Sequence, residues 1–138
     1  MKPNRTFPAV PNDLREWTRF LSALFFAREF TAELSDDTTV TGTARYTVSA
    51  GIVCLSLPTL LVTSTAGVAF IDGLPEEITP QHDQQCIARI VDNGVTGTGI
   101  VQIGTDTGIT LFKDLDTNAF TASGTKGVRA SIVVYSLD

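Results

Sequence analysis

The sequence predicts a mainly β fold: an antiparallel, jelly-roll-like β-sandwich preceded by a Pro-rich arm and one short amphipathic helix. Three observations predict it. From Arg45 onward, short β-branched runs recur about every 8 to 12 residues, each closed by Gly, Asp, Asn, Thr or Pro, the pattern of strands joined by tight turns. No helical crossover pattern occurs after residue 30, so the strands are expected to pair antiparallel rather than parallel. Residues 14–26, by contrast, carry apolar side chains at helical spacing.

A chain of 138 residues, 43% of them hydrophobic, can bury about two-thirds of its unfolded surface in a single core. One domain with a terminal appendage follows. The boundaries read as an extended arm over 1–12, an amphipathic helix over 13–28, a connector over 29–45 and the β-sandwich over 46–138.

The arm contains Pro3, Pro8 and Pro11, a spacing that forbids a helix and favours extended chain, with Phe7 and Val10 as its apolar anchors. The helix follows from about Leu14 to Phe26. Asp13 is placed to cap it, with Glu16 three residues on completing a capping-box pattern. Leu14, Trp17, Phe20, Leu21, Leu24 and Phe25 share one face, and Arg15, Glu16, Thr18, Arg19 and Ser22 take the other. A helix of about thirteen residues is marginal in water, so its stability must come from burying that stripe. Two partners are open to it, this chain's own sheet or the equivalent helices of other copies in an assembly.

Residues 29–45, rich in Thr, Asp and Gly, read as the connector into the first strand. Tyr46 and Val48 then alternate with Thr47 and Ser49, and apolar runs follow at Ile52 to Leu57, Leu60 to Val62 and Val68 to Ile71. A polar loop from Gly73 to Gln85, its path fixed by Pro75 and Pro80, precedes runs at Cys86 to Val91, Ile100 to Ile103, Ile109 to Phe112 and Ile132 to Tyr135. About eight strands result. Tyr46, Phe70, Phe112, Phe120 and Tyr135 read as core residues.

Charge separates the two parts. Residues 1–28 hold five basic and two acidic residues, a balance of +3, against 5 basic and 13 acidic in the remainder, a balance of −8. A basic head on an acidic body suggests docking at one end and solubility at the other. The head is too sparsely basic for a nucleic-acid arm, which argues against nucleic acid as a partner. The apolar run Ala23 to Ala27 is far shorter than the roughly 20 residues of a membrane span. Cys54 and Cys86 each sit in an apolar run and read as small buried hydrophobes, consistent with folding in a reducing cytoplasm.

No constellation reads as a reaction centre. His82 is the single histidine and lies in a loop beside Asp83, with no nucleophile placed by sequence to serve it. Asp114, Asp116 and Asn118 begin a calcium-loop pattern, but Ala119 stands where the sharp turn needs Gly and Thr125 where the bidentate Glu belongs. Gly97-Thr98-Gly99 lacks the third glycine of a dinucleotide fingerprint, and Gly124-Thr125-Lys126-Gly127 has neither the spacing nor the helix of a phosphate loop. Glu76 and Glu77 are adjacent, so an extended segment points them to opposite sides. The expectation is a non-enzymatic protein with no catalytic residue, no cofactor and no metal.

A set of punctuation marks carries a resemblance. They are Leu57-Pro58 at a strand end, Gly73-Leu74-Pro75 followed by Ile78-Thr79-Pro80, the turn Asp92-Asn93-Gly94, and Gly104 with Gly108-Ile109-Thr110-Leu111 beyond it. Phe120-Thr121-Ala122-Ser123-Gly124-Thr125-Lys126-Gly127 then closes with Ile132 to Tyr135. In these, residues from about Tyr46 to Asp138 resemble the distal β-sandwich domains of tailed-bacteriophage fibres, spikes and related virion appendages. The resemblance implies a non-enzymatic homotrimer in the virion, joined to capsid, connector or tail proteins by its N-terminal segment and exposing its β domain. With no fibrous shaft between helix and sandwich, it implies a short fibre, head appendage or decoration protein. Binding of a host receptor or surface glycan is the alternative reading.

Overall fold

In the computed structural model, which describes residues 13–16 and 28–138, apolar and polar side chains begin to alternate at Arg28, well before Tyr46. The strands are β1 Arg28–Ser35, β2 Thr39–Ser49, β3 Ile52–Leu57, β4 Leu60–Thr63, β5 Ala69–Asp72, β6 Gln84–Asp92, β7 Val95–Ile103, β8 Ile109–Phe112, β9 Thr125–Val128 and β10 Ser131–Ser136. A single 3-10 turn, Glu76–Ile78, interrupts the loop after β5. The stretch expected as a connector is therefore a strand pair. β1 and β2 match residue for residue from Arg28 opposite Tyr46 to Ser35 opposite Thr39. They escape a reading by apolar runs because two of the three fully enclosed residues, Ala32 and Ala44 beside Leu34, are small and alternate with Thr, Glu and Arg side chains that face water.

The chain forms one ten-stranded antiparallel sheet, ordered β10-β3-β2-β1-β5-β8-β7-β6-β9-β4, curled into a half-barrel, where two stacked sheets had been expected. The reason lies in two pairs of strands. In one ladder Leu57 faces Ser131, and in the next Leu60 faces Val128. Three residues forward on one side match three residues back on the other, so β3 with β4, and β10 with β9, form one unbroken ribbon. It bends at Pro58, which has no N–H to give a ladder. There the Ala130 N–H turns to the Thr59 hydroxyl at 3.0 Å. One half of the ribbon lies against β2 and the other against β6, so it spans both ends of the sheet and draws them into a curl.

The concave side holds the core. Leu34, Leu55, Leu60, Ile71, Ile103 and Ile109 are each fully enclosed, and side chains of this size contribute about 1.5–3 kcal/mol apiece when buried. Register sets two ends. At the proximal end lie Arg28, the β2–β3 turn at Ala50-Gly51 and the loop from Gly73 to Asp83; at the distal end lie the turns after β1 and β6 and the loops 64–68 and 113–124. Leu74 and Ile78, buried at 3% and 0% exposure, make the proximal loop a plug for that end, not a polar excursion.

Of the N-terminal expectations, the described residues include one. The Asp13 carboxylate accepts the Glu16 backbone N–H at 2.8 Å and residues 14–16 are helical, the geometry of the expected N-cap. The Pro-rich arm and the rest of the helix lie outside the described residues.

Candidate functional site

The expected assembly residues come first. Leu14 is exposed at 83%; Phe7, Val10, Trp17, Phe20, Leu21, Leu24 and Phe25 lie outside the described residues. The chain joins the sheet at Arg28, and there the proximal end is tied shut. The Glu77 carboxylate accepts from the Arg28 guanidinium through one oxygen and from the Tyr46 hydroxyl through the other. Those bonds, Tyr46 first and then Arg28, hold the Glu77 carboxyl below the usual carboxylate range. Beneath it the Tyr135 hydroxyl donates to the buried Ile78 carbonyl at 2.7 Å, and burial pushes the phenol well above its ordinary value.

The outer face beside this end is apolar. β3 lies between β2 and β10, and from that face Ile52, Ile132 and Val134 project at 46%, 61% and 58% exposure. Cys54, opposite both Thr47 and Val134, belongs to the same face and is half-exposed, so it is not the enclosed hydrophobe the sequence suggested. Cys86 is also only partly covered, its thiol donating to the Val134 carbonyl at 3.5 Å and raised by burial. Phe70, expected in the core, is 45% exposed on β5, with the half-buried Phe112 on the same outer side of β8. Tyr46, Phe120 and Tyr135 are buried as expected.

The distal end is held by a lysine. Lys126 is completely enclosed, and its ammonium donates to the carbonyls of Ala66 and Thr121, the latter at 2.9 Å. Around it Ser64 donates to Asp36, Thr65 donates its N–H and hydroxyl to Asp37 at 3.0 and 2.9 Å, and Thr121 donates the same pair to Asp92 at 2.8 and 2.7 Å. The Thr65 bonds hold the Asp37 carboxyl below its ordinary range. Sequence inspection saw only a failed phosphate loop at Gly124 to Gly127. The signal it passed over was a lysine on the inward alternation of a strand.

Next to this knot the β6–β7 hairpin runs past the sheet. Asn93 and Gly94, with φ of 48° and 80°, make the two-residue turn that Asp92-Asn93-Gly94 predicted. β7 pairs with β6 from Val95 to Ile103 but with β8 only from Ile100 on, so Val95 to Thr98 are exposed along an unpaired edge, while Gly99 is buried with the Phe112 carbonyl against it. A hollow of about 260 Å³, lined by Ile90, Asp92, Val95, Gly97, Lys113 and Asp114, lies along that edge.

The acidic loop after β8 is an Asx turn. Asp114 accepts the Asp116 and Asn118 N–H groups at 3.1 Å and the Asn118 side-chain amide at 3.0 Å, and the Asn118 bonds lower its pKa. His82 is exposed, and its neighbour Asp83 accepts from Gln102 and from the Thr105 N–H. Among the described residues, no group of three His, Cys, Asp or Glu is arranged to hold a metal, and no helix is long and apolar enough to cross a membrane. No protein-family model matches the chain, and no curated protein matches it.

Proposed function

We propose that the protein is a non-enzymatic virion structural protein: a short trimeric fibre, head appendage or decoration protein, held to a phage particle by its N-terminal segment. The half-barrel serves where such appendages carry a jelly-roll-like β-sandwich. The observation that carries this reading is the apolar outer face of β3 and β10, with Ile52, Ile132 and Val134 exposed on it, on the flank of the sheet that reaches the end where the N-terminal segment joins the body. Isolated exposed hydrophobics are ordinary on a protein surface, but a contiguous group on adjacent strands is a surface for another protein. Three bodies side by side would cover it, with the Trp17 and Leu21 stripe packed between them and the Lys126 knot facing outward. Antibodies raised against residues 28–138 should decorate intact particles and co-sediment with them; a protein confined to the particle-free lysate would overturn the assignment.

The exposed Phe70, with Phe112 beside it, favours a second reading, in which the outer face of β5 and β8 stacks against a sugar ring of a host surface glycan. Retention on a broad glycan array, lost in Phe70→Ala, would support it, and silence across the array would remove it.

A further inference from the structure

We propose that β10 is a strap poised to close on β6, turning the half-barrel into a closed barrel, and that the side chains of Ser131 and Cys86 hold it off. β9 pairs with β6 at Val128 opposite Ile90 and Gly127 opposite Val91, and the Arg129 N–H adds a bond to the Arg89 carbonyl at 2.9 Å. From Ser131 on, no ladder joins β10 to β6. The two strands still run side by side. The Arg89 N–H reaches the Ser131 hydroxyl at 3.4 Å, and the Cys86 thiol reaches the Val134 carbonyl at 3.5 Å.

Hairpin parity decides what faces the gap. The turns Asn93-Gly94 and Ala50-Gly51 have two residues each, so their closing pairs, Asp92 with Val95 and Ser49 with Ile52, are hydrogen-bonded. Alternation from the first turns the N–H and C=O of Gln85, Ile87 and Arg89 away from β7. Alternation from the second, carried across β3, turns those of Ile132, Val134 and Ser136 away from β3. Both rows point into the same gap, in agreement with the bonds made there by Arg89 and Val134. Continued in the β9 register, Ile87 would meet Ser131, whose own backbone groups are spent on β3. One extra residue corrects this, and Arg129-Ala130, which lie in no strand, supply it as a bulge does. Ile87 then faces Ile132 and Gln85 faces Val134, two pairs with four backbone hydrogen bonds to make.

Two side chains occupy the places those bonds need. The Ser131 hydroxyl accepts from the Arg89 N–H and donates to the Arg129 carbonyl at 2.9 Å, so it stands between a donor and an acceptor that would otherwise meet directly. The Cys86 thiol takes the Val134 carbonyl, the acceptor due to the Gln85 N–H. The far end of the strap is anchored, the Tyr135 hydroxyl donating to the Ile78 carbonyl at 2.7 Å and the Gln81 N–H to the Leu137 carbonyl at 3.0 Å. Closure leaves neither strand a free edge along the seam and sets Ile87 and Ile132, 65% and 61% exposed, side by side on the outer face.

None of this needs the particle reading. The test is residue-resolved amide hydrogen exchange of the full chain, comparing wild type with Ser131→Ala, Cys86→Ala and the double substitution, each checked for its β-sheet circular dichroism. In wild type the amides of Gln85, Ile87, Ile132 and Val134 should exchange at least about tenfold faster than those of Cys86, Ala88, Val133 and Tyr135, whose ladders are complete. In the double variant the first four should slow at least about tenfold while their neighbours keep their rates. Each single substitution should give part of the slowing, so a double variant that does not fold leaves the singles to decide. Wild-type amides at the four positions as slow as their neighbours would mean that the seam has no gap, and rates unmoved by the substitutions would mean that these side chains hold nothing open; either overturns the proposal. Neither result touches the appendage reading, which stands or falls on sedimentation with the particle.

Discussion

Two ionisable side chains hold opposite ends of the molecule. Glu77 ties the proximal loop to Arg28 and Tyr46 in the open, and Lys126 ties three distal segments together out of water. Because the folded Glu77 carboxyl sits below its unfolded value, its contribution is present above the ordinary glutamate value of about 4.3 and fades as pH falls through the folded value. Asp37 and Asp114 are lowered in the same direction and add to the loss on the acid side. The melting temperature should therefore fall as pH drops below about 4.3, and Glu77→Gln should lower it at neutral pH while shrinking that acid-side fall. An unchanged acid slope in Glu77→Gln would mean the latch is not formed in solution. Lys126→Met keeps the stem but leaves the carbonyls of Ala66 and Thr121 without the donor that reaches them from inside the fold. It should lower stability by about 2 kcal/mol in urea unfolding, and an unchanged midpoint would contradict the knot.

At the scale of the element, the ribbon of β3-β4 against β9-β10 decides the shape. Gly127 has a φ of 140°, and a Cβ there would overlap the Leu60 carbonyl oxygen across the ribbon. Gly127→Ala should destabilise by at least about 2 kcal/mol in chemical unfolding, whereas a cost near zero would show that the bend adapts freely. This is also where the sequence was partly readable. From Tyr46 on most strands followed the β-branched alternation, down to the Pro58 break and the Asn93-Gly94 turn, but β9 at Thr125–Val128 and the Val95 to Gly99 part of β7 were missed, since their Thr and Gly residues make no apolar run. β1 and the first half of β2 were missed too, since Ala32 and Ala44 bury too little side chain to mark a periodicity. The curl was not readable either, because a register shared by β3-β10 and β4-β9 is a long-range fact that no local pattern encodes. For the same reason Phe70 looked like core: alternation tells which residues share a face, and the pairing of β5 with β1 and β8 decides which face meets water.

For the whole molecule, the arrangement is an acidic half-barrel with an apolar outer flank at one end, and the basic segment that joins that end has a sequence with large apolar residues at helical spacing. Burying six large side chains of that stripe between copies would supply on the order of 10 kcal/mol, enough to drive assembly of a body that already has its own core. The most direct test replaces Trp17 and Leu21 together with serine and measures mass by sedimentation alongside the β-sheet circular dichroism of wild type and variant. A trimeric wild type and a monomeric variant with the wild-type β spectrum is the expected result. A monomeric wild type, or a variant that loses the β spectrum along with the trimer, would show instead that the stripe belongs to the core of its own chain.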